Sequence, residues 1–155
     1  MSSLNSDTAE QWMRLALAEA RTAAEAGEIP VGAVVIGQDG AVIGVGRNDR
    51  ERTADPTAHA EIVALRQAAA HTGNWNLAEC TLVVTLEPCA MCAGTILAAH
   101  VGRLVYGAWD EKAGAVGSVY DLIRDRRLPQ RCEVHAGVLA DEAVELLQQF
   151  FRERR

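Results

Sequence analysis

The sequence predicts an α/β fold in which a mixed five-stranded sheet lies between helices as a three-layer α/β/α sandwich. Three observations carry that expectation. Residues 81–86, 93–99 and 103–109 read as apolar strand, helix and strand in succession, the pattern of a parallel βαβ unit with a right-handed crossover. Two runs rich in valine and isoleucine, 31–36 and 41–46, flank Gln38-Asp39-Gly40, a turn whose glycine supplies the positive φ a hairpin needs. Amphipathic helices stand near both ends of the chain, and each needs a sheet face to cover.

Taken in order, residues 8–26 have Trp12, Leu15, Ala16 and Ala20 at helical spacing, with Asp7 or Thr8 to cap the start and Gly27 to end it. The hairpin strands follow, and a polar loop, 48–56, leads to a helix over 58–70 with Ile62, Leu65 and Ala69 on one stripe. Residues 81–86 are almost continuously apolar, as expected of a strand buried on both faces. After the strand at 103–109 comes a glycine-bearing loop, 110–117, at the strand's C-terminal end, where open α/β sheets bind ligands. A short helix is expected over 118–123, a weaker strand over 133–138, and a helix over 141–154 with Ala143, Leu146, Leu147 and Phe150 facing inward.

Composition narrows the class. The chain has 155 residues, of which 49% are hydrophobic, and no linker, repeat or low-complexity tract divides it, so one domain over 1–155 is expected. Its N-terminus lacks a basic region followed by an apolar one, and no apolar run reaches membrane-spanning length. A cytoplasmic protein with no membrane contact is the expectation. The formal net charge of -6 argues against a broad nucleic-acid-binding surface but leaves room for a local basic patch.

The chemistry concentrates in Thr85-Leu86-Glu87-Pro88-Cys89-Ala90-Met91-Cys92, at the end of the third apolar run. A helix beginning at Pro88 would put Cys89 and Cys92 on one face near its positive end, which favours the thiolate that binds metal. Alone, C-x-x-C fits a redox pair, half of a structural zinc site or two buried small residues. Upstream stands His59-Ala60-Glu61. Together, H-x-E followed by P-C-x-x-C is the signature of the zinc nucleobase deaminases. Three ligands, His59, Cys89 and Cys92, would leave one tetrahedral position open for water, the layout of a catalytic zinc at one ion per chain. Glu61 is the candidate proton carrier. His59 and Glu61 point opposite ways within a helix, so they can converge only where the chain enters it, and His59 is expected in the first turn. Cys80 and Cys132 stand apart and are expected to pack as small apolar residues.

Beyond the signature, Ile29-Pro30-Val31-Gly32-Ala33-Val34, Asp55-Pro56-Thr57-Ala58-His59-Ala60-Glu61, Thr85 through Gly94, and Phe150-Phe151-Arg152 resemble the bacterial tRNA-specific adenosine deaminases along essentially the whole chain. The resemblance implies a cytidine-deaminase-like fold, a homodimer, and conversion of the wobble adenosine of a tRNA anticodon stem-loop to inosine. It also implies that Asn48 hydrogen-bonds the target base, that Asp110 and Lys112 lie in a loop touching flanking nucleotides, and that Phe151 and Arg152 bind substrate. Two positions depart from that family. Trp109 stands where arginine is frequent, and Trp75-Asn76 where an aromatic followed by a basic residue is usual. Tryptophan stacks on a base but does not neutralise a phosphate. Arg124, Arg126, Arg127, Arg131 and the C-terminal Arg152, Arg154 and Arg155 are the cations available to compensate, although cations at a helix C-terminus also serve its dipole. A deaminase of free guanine or cytosine, and a non-catalytic zinc-stabilised RNA-binding module, would share the metal ligands.

Overall fold

A computed structural model describes residues 1–154. In chain order the elements are α1 (Ser6–Glu25), β1 (Gly32–Ile36), β2 (Val42–Arg47), α2 (Arg50–Thr53), α3 (Ala60–Thr72), β3 (Thr81–Leu86), α4 (Ala90–Ala98), β4 (Arg103–Ala108), β5 (Glu133–His135) and α5 (Ala140–Arg152). The strands form one sheet in the order β2-β1-β3-β4-β5. β1 pairs antiparallel with β2 and β3, whereas β3, β4 and β5 run parallel. The crossover from β3 through α4 to β4 is the expected βαβ unit.

Side-chain alternation divides the core between the sheet's two faces. Ala33 and Val35 of β1 face a cluster with Leu82, Val84, Leu104 and Tyr106, which α3 and α4 cover with Ala60, Ala64, Leu65, Ile96 and Leu97. Val34, Ile36, Val83 and Val105 point the other way, toward Met13, Ala16 and Leu17 of α1 and Ala143 of α5. Two helices on each face of a five-stranded sheet give the three layers expected from the sequence.

Local departures have physical causes. Helix α1 is capped by the Asn5 side chain, which accepts from the Thr8 amide, so neither Asp7 nor Thr8 is the cap. Leu15 is 45% exposed, because the buried stripe runs through Met13, Ala16, Leu17 and Ala20. The loop over 48–56 contains the short α2. Residues 118–123 form no helix. Gly117 at φ 124 turns the chain, the Gly117 amide donates to the Tyr120 carbonyl, and Val116 bridges Asp121, so the backbone groups a helix would need are already paired. β5 stops at His135 because Gly137 turns away at φ 81. Cys80 is buried and Cys132 packs partly buried against the same core, as expected of small apolar residues.

Candidate active site

The site is built where two helices begin. His59 is the N-cap of α3, with extended ψ 152, and Cys89 is the N-cap of α4, with ψ 177. His59 thus sits one position before the first turn. Cys89 is kept out of the helix because it bridges Gly114, while Pro88 accepts from the Ala115 amide, so α4 starts at Ala90 rather than at Pro88. The cysteines still share the helix's positive end, one at the cap and one in the first turn.

His59 Nδ1 lies 3.6 Å from Cys89 Sγ and 3.4 Å from Cys92 Sγ. A tetrahedral zinc, with bonds of about 2.3 Å to sulfur and about 2.0 Å to nitrogen, would set these separations near 3.6 Å. The residues fit that ion. Among the described residues they are the group of histidine, cysteine and acidic side chains spaced to hold a metal. The protons agree with the distances: the Cys92 thiol beside it, helped by His59, holds the Cys89 thiol down to about 3, while the same pairing and burial push Cys92 up. A dication bound between them would take both sulfurs as thiolates and displace any proton they share.

Glu61 falls in the first turn of α3 and is buried with 4% of its surface exposed. Burial, above all, pushes its carboxyl pKa up. With Asn48, Arg50, His59, Cys89, Ile29, Leu86 and Asp110 it lines a cavity of about 300 Å³, at the small end of the range for small-molecule sites. Asn48, also buried, is fixed through its backbone amide, which donates to the Val31 carbonyl at 3.0 Å, and through its side-chain amide, which donates to the Ile29 carbonyl at 3.4 Å. A buried acid, two of the three metal-type donors and an anchored amide share one opening.

A family model described as MafB19-like deaminase matches residues 7–155. The chain belongs to that family. A Haemophilus influenzae protein named tRNA-specific adenosine deaminase is 47% identical over 152 residues, spanning 98% of this chain and 88% of that one. A tRNA(Ile)-lysidine synthase of Deinococcus radiodurans is 51% identical over 152 residues, but the match spans 26% of that protein against 98% of this chain. A solved structure from studies of A-to-I editing by tRNA:A34 deaminases at the wobble position of transfer RNA has a TM-score of 0.85 and 42% identity, covering 88% of this chain and 99% of that one. The resemblance read from the sequence therefore holds, and with it the cytidine-deaminase-like fold.

In this deaminase the remaining expected substrate residues fall in two places. Asp110 lies at the cavity wall and accepts through one carboxylate oxygen from the amides of Lys112 and Ala113, both at 3.1 Å. Lys112 is exposed and does not line the cavity. Phe151 and Arg152 lie on α5, outside the cavity, in a groove shared with Trp109, Val144 and Leu147. The structure thus separates the α5 pair from Glu61. Trp109, which lines that groove, stands one residue before Asp110 of the cavity.

Five of the arginines expected to compensate on the RNA side have internal partners. Arg124 pairs with Asp121 and Arg127 with Asp125, Arg131 donates to the carbonyls of Leu128 and Gln130, and Arg152 lies 3.1 Å from Glu145. Arg154 stacks 3.6 Å over the Phe150 ring. Arg155 lies outside the described residues.

One functional candidate was missed from the sequence. Glu87 is 2% exposed, lines the cavity beside Cys89, and accepts hydrogen bonds from the loop that carries Asp110. The available signal was a charged residue placed directly after a strand buried over all but its last residue.

Proposed function

We propose that this deaminase converts the wobble adenosine of a tRNA anticodon stem-loop to inosine. The observation that carries the reading is that Glu61, buried, opens into the same cavity as His59 and Cys89 in a chain that matches a tRNA-specific adenosine deaminase nearly end to end. His59, Cys89 and Cys92 would hold one zinc ion, which would supply hydroxide chemistry at neutral pH by lowering the pKa of water toward about 7.

The chain's own groups handle the base and the protons. Asn48 hydrogen-bonds the adenine edge and sets C6 toward the metal side of the cavity. Glu61 accepts one proton from water and delivers it to N1 of the purine as the bond from oxygen to C6 forms. The second proton of that water passes through the same carboxylate to the 6-amino group, the C6–N bond breaks, ammonia leaves, and C6 becomes a carbonyl. An adenine paired in a duplex hides C6, so an anticodon loop, whose bases are readily splayed out, suits the enclosed site. Asp110, Lys112, Phe151 and Arg152 contact the flanking nucleotides. The protein works as a homodimer in the cytoplasm. No described helix is long and apolar enough to cross a membrane.

Incubation with anticodon stem-loops bearing adenosine at the wobble position, alongside free adenosine, guanine and cytosine, tests the reading. Inosine in RNA and an unchanged pool of free substrates are expected. Turnover of a free base or nucleoside with none on RNA would replace the function with that of a small-molecule deaminase.

A further inference from the structure

Three backbone amides and one hydroxyl of the substrate-side loop converge on a single buried carboxylate. Glu87 Oε1 accepts from the Asp110 amide at 3.0 Å and from the Ser118 hydroxyl. Its Oε2 accepts from the Val116 amide at 2.9 Å and the Ser118 amide at 3.1 Å. The loop wraps so closely that a Cβ on Gly114 would lie 2.4 Å from the Glu87 carboxylate, which explains the glycine. The segment is also stitched to the metal side: the Ala115 amide donates to the Pro88 carbonyl at 2.8 Å, the Glu87 amide to the Ala108 carbonyl at 2.8 Å, and Cys89 bridges Gly114. Glu87 therefore stands between Cys89, two residues on in sequence, and Asp110, twenty-three residues on.

We propose that Glu87 is a positioning residue: its carboxylate holds the segment from Asp110 to Ser118 against the Pro88–Cys89 turn, so that the pocket wall at Asp110, and the loop that continues from it through Lys112, is formed before substrate arrives. Four donors need four acceptor sites, and a carboxylate is the side chain that supplies them with charge as well as geometry. Glutamine has almost the same shape but offers a donor in place of one oxygen, which leaves two of the four loop donors without an acceptor. A preset loop matters because ordering it on binding would subtract from RNA affinity. That last step rests on the function proposed above, whereas the holding of the loop does not.

The experiment compares Glu87→Gln with the parent, both zinc-loaded. Amide hydrogen exchange is read at Asp110, Val116 and Ser118 and, as an internal reference, at Val83 and Val105 in the central strands. Exchange at least tenfold faster at the three loop amides, with the strand amides unchanged, is expected, together with at least tenfold weaker binding of an anticodon stem-loop at unchanged zinc content. Unaltered loop exchange overturns the proposal. Faster exchange with unaltered RNA affinity overturns its substrate half and leaves Glu87 a purely structural residue. Should Glu87→Gln fail to fold, Ser118→Ala, which removes one donor to the same carboxylate, is read in the same way with the same opposed outcomes. A parent that makes no inosine defeats the proposed function instead, and the exchange measurement still decides the loop.

Discussion

Gly46 of β2 lies directly against the backbone of Ala60 in α3: a Cβ on Gly46 would sit 2.2 Å from the Ala60 carbonyl oxygen and 2.7 Å from the Ala64 amide nitrogen. Strand and helix touch without an intervening side chain, at the turn of α3 that follows His59 and contains Glu61. Gly46→Ala must push that turn away. Overpacking of this kind costs about 1–3 kcal/mol, so a lower melting temperature and a disproportionate loss of deamination are expected. Gly94→Ala is the matched control, since nothing lies within 4 Å of its Cβ and the residue is within a helix. There alanine should be neutral or stabilise by about 0.5–1 kcal/mol. Thermal melts of the two variants decide the comparison.

Removing one of the proposed zinc ligands gives a second prediction. Cys89→Ala deletes the sulfur 3.6 Å from His59 Nδ1, and should abolish both tight zinc binding and activity. The readout is zinc stoichiometry by elemental analysis, about one per chain in the parent. Full occupancy in the variant would put the metal elsewhere.

The C-terminal cations separate RNA binding from chemistry. Arg152 and Arg154 have internal partners in Glu145 and the Phe150 ring, yet both are exposed. Substituting them with alanine together with Arg155 should weaken stem-loop binding and reduce the slope of log affinity against log salt by about 0.7 for each phosphate no longer neutralised. Single-turnover deamination at saturating RNA should stay near the parent rate. An unchanged slope would confine these arginines to helix-end and packing roles.

Stability should carry a signature at low pH from the other end of the sheet. Arg103, buried on β4, pairs with Glu133 on β5 and holds that carboxyl below its ordinary value. The folded state then binds the proton more weakly than the unfolded chain. The pair's contribution is complete above the unfolded value of about 4.3 and fades as pH falls through the lower folded value. Because half of the Glu133 side chain is in solvent, Glu133→Gln should cost no more than about 1 kcal/mol at pH 7, or about 2–4 °C. Melts from pH 7 downward should show the gap between parent and variant narrowing below about pH 4. A gap that stays constant would mean the carboxylate charge contributes nothing.

The cluster of His59, Cys89 and Cys92 was legible because its chemistry lies in residue type and order: one imidazole and two thiols are a zinc-type donor set, and the spacing of the cysteines after Pro88 survives any small error in where the helices begin. The layers were legible from periodicity, since Ala33 and Val35 alternate with Val34 and Ile36 between two helix pairs. What stayed hidden depends on chain segments folding back on each other. Glu87 reads as one more polar residue until the loop to Ser118 closes over it. The expected helix over 118–123 fails for the same reason, because pairing across Val116 and Asp121 captures its backbone. Leu15 misled because local spacing allows several apolar stripes on α1, and packing against β1 selects the one through Met13 and Leu17.

In the proposed mechanism Glu61 carries protons beside a metal it does not bind. Glu61→Gln keeps the shape of a side chain that is 4% exposed and leaves all three ligands in place, so fold, zinc content and RNA affinity should persist. General acid–base catalysis contributes roughly 100-fold to 10,000-fold, and at least two transfers run through this carboxylate, so the loss should reach the upper end of that range. The measurement is single-turnover inosine formation on an anticodon stem-loop, with zinc stoichiometry and RNA binding followed in parallel. A fully metallated, RNA-binding variant slowed by about 10,000-fold is the predicted result, and one that stays within about tenfold of the parent rate would contradict the mechanism.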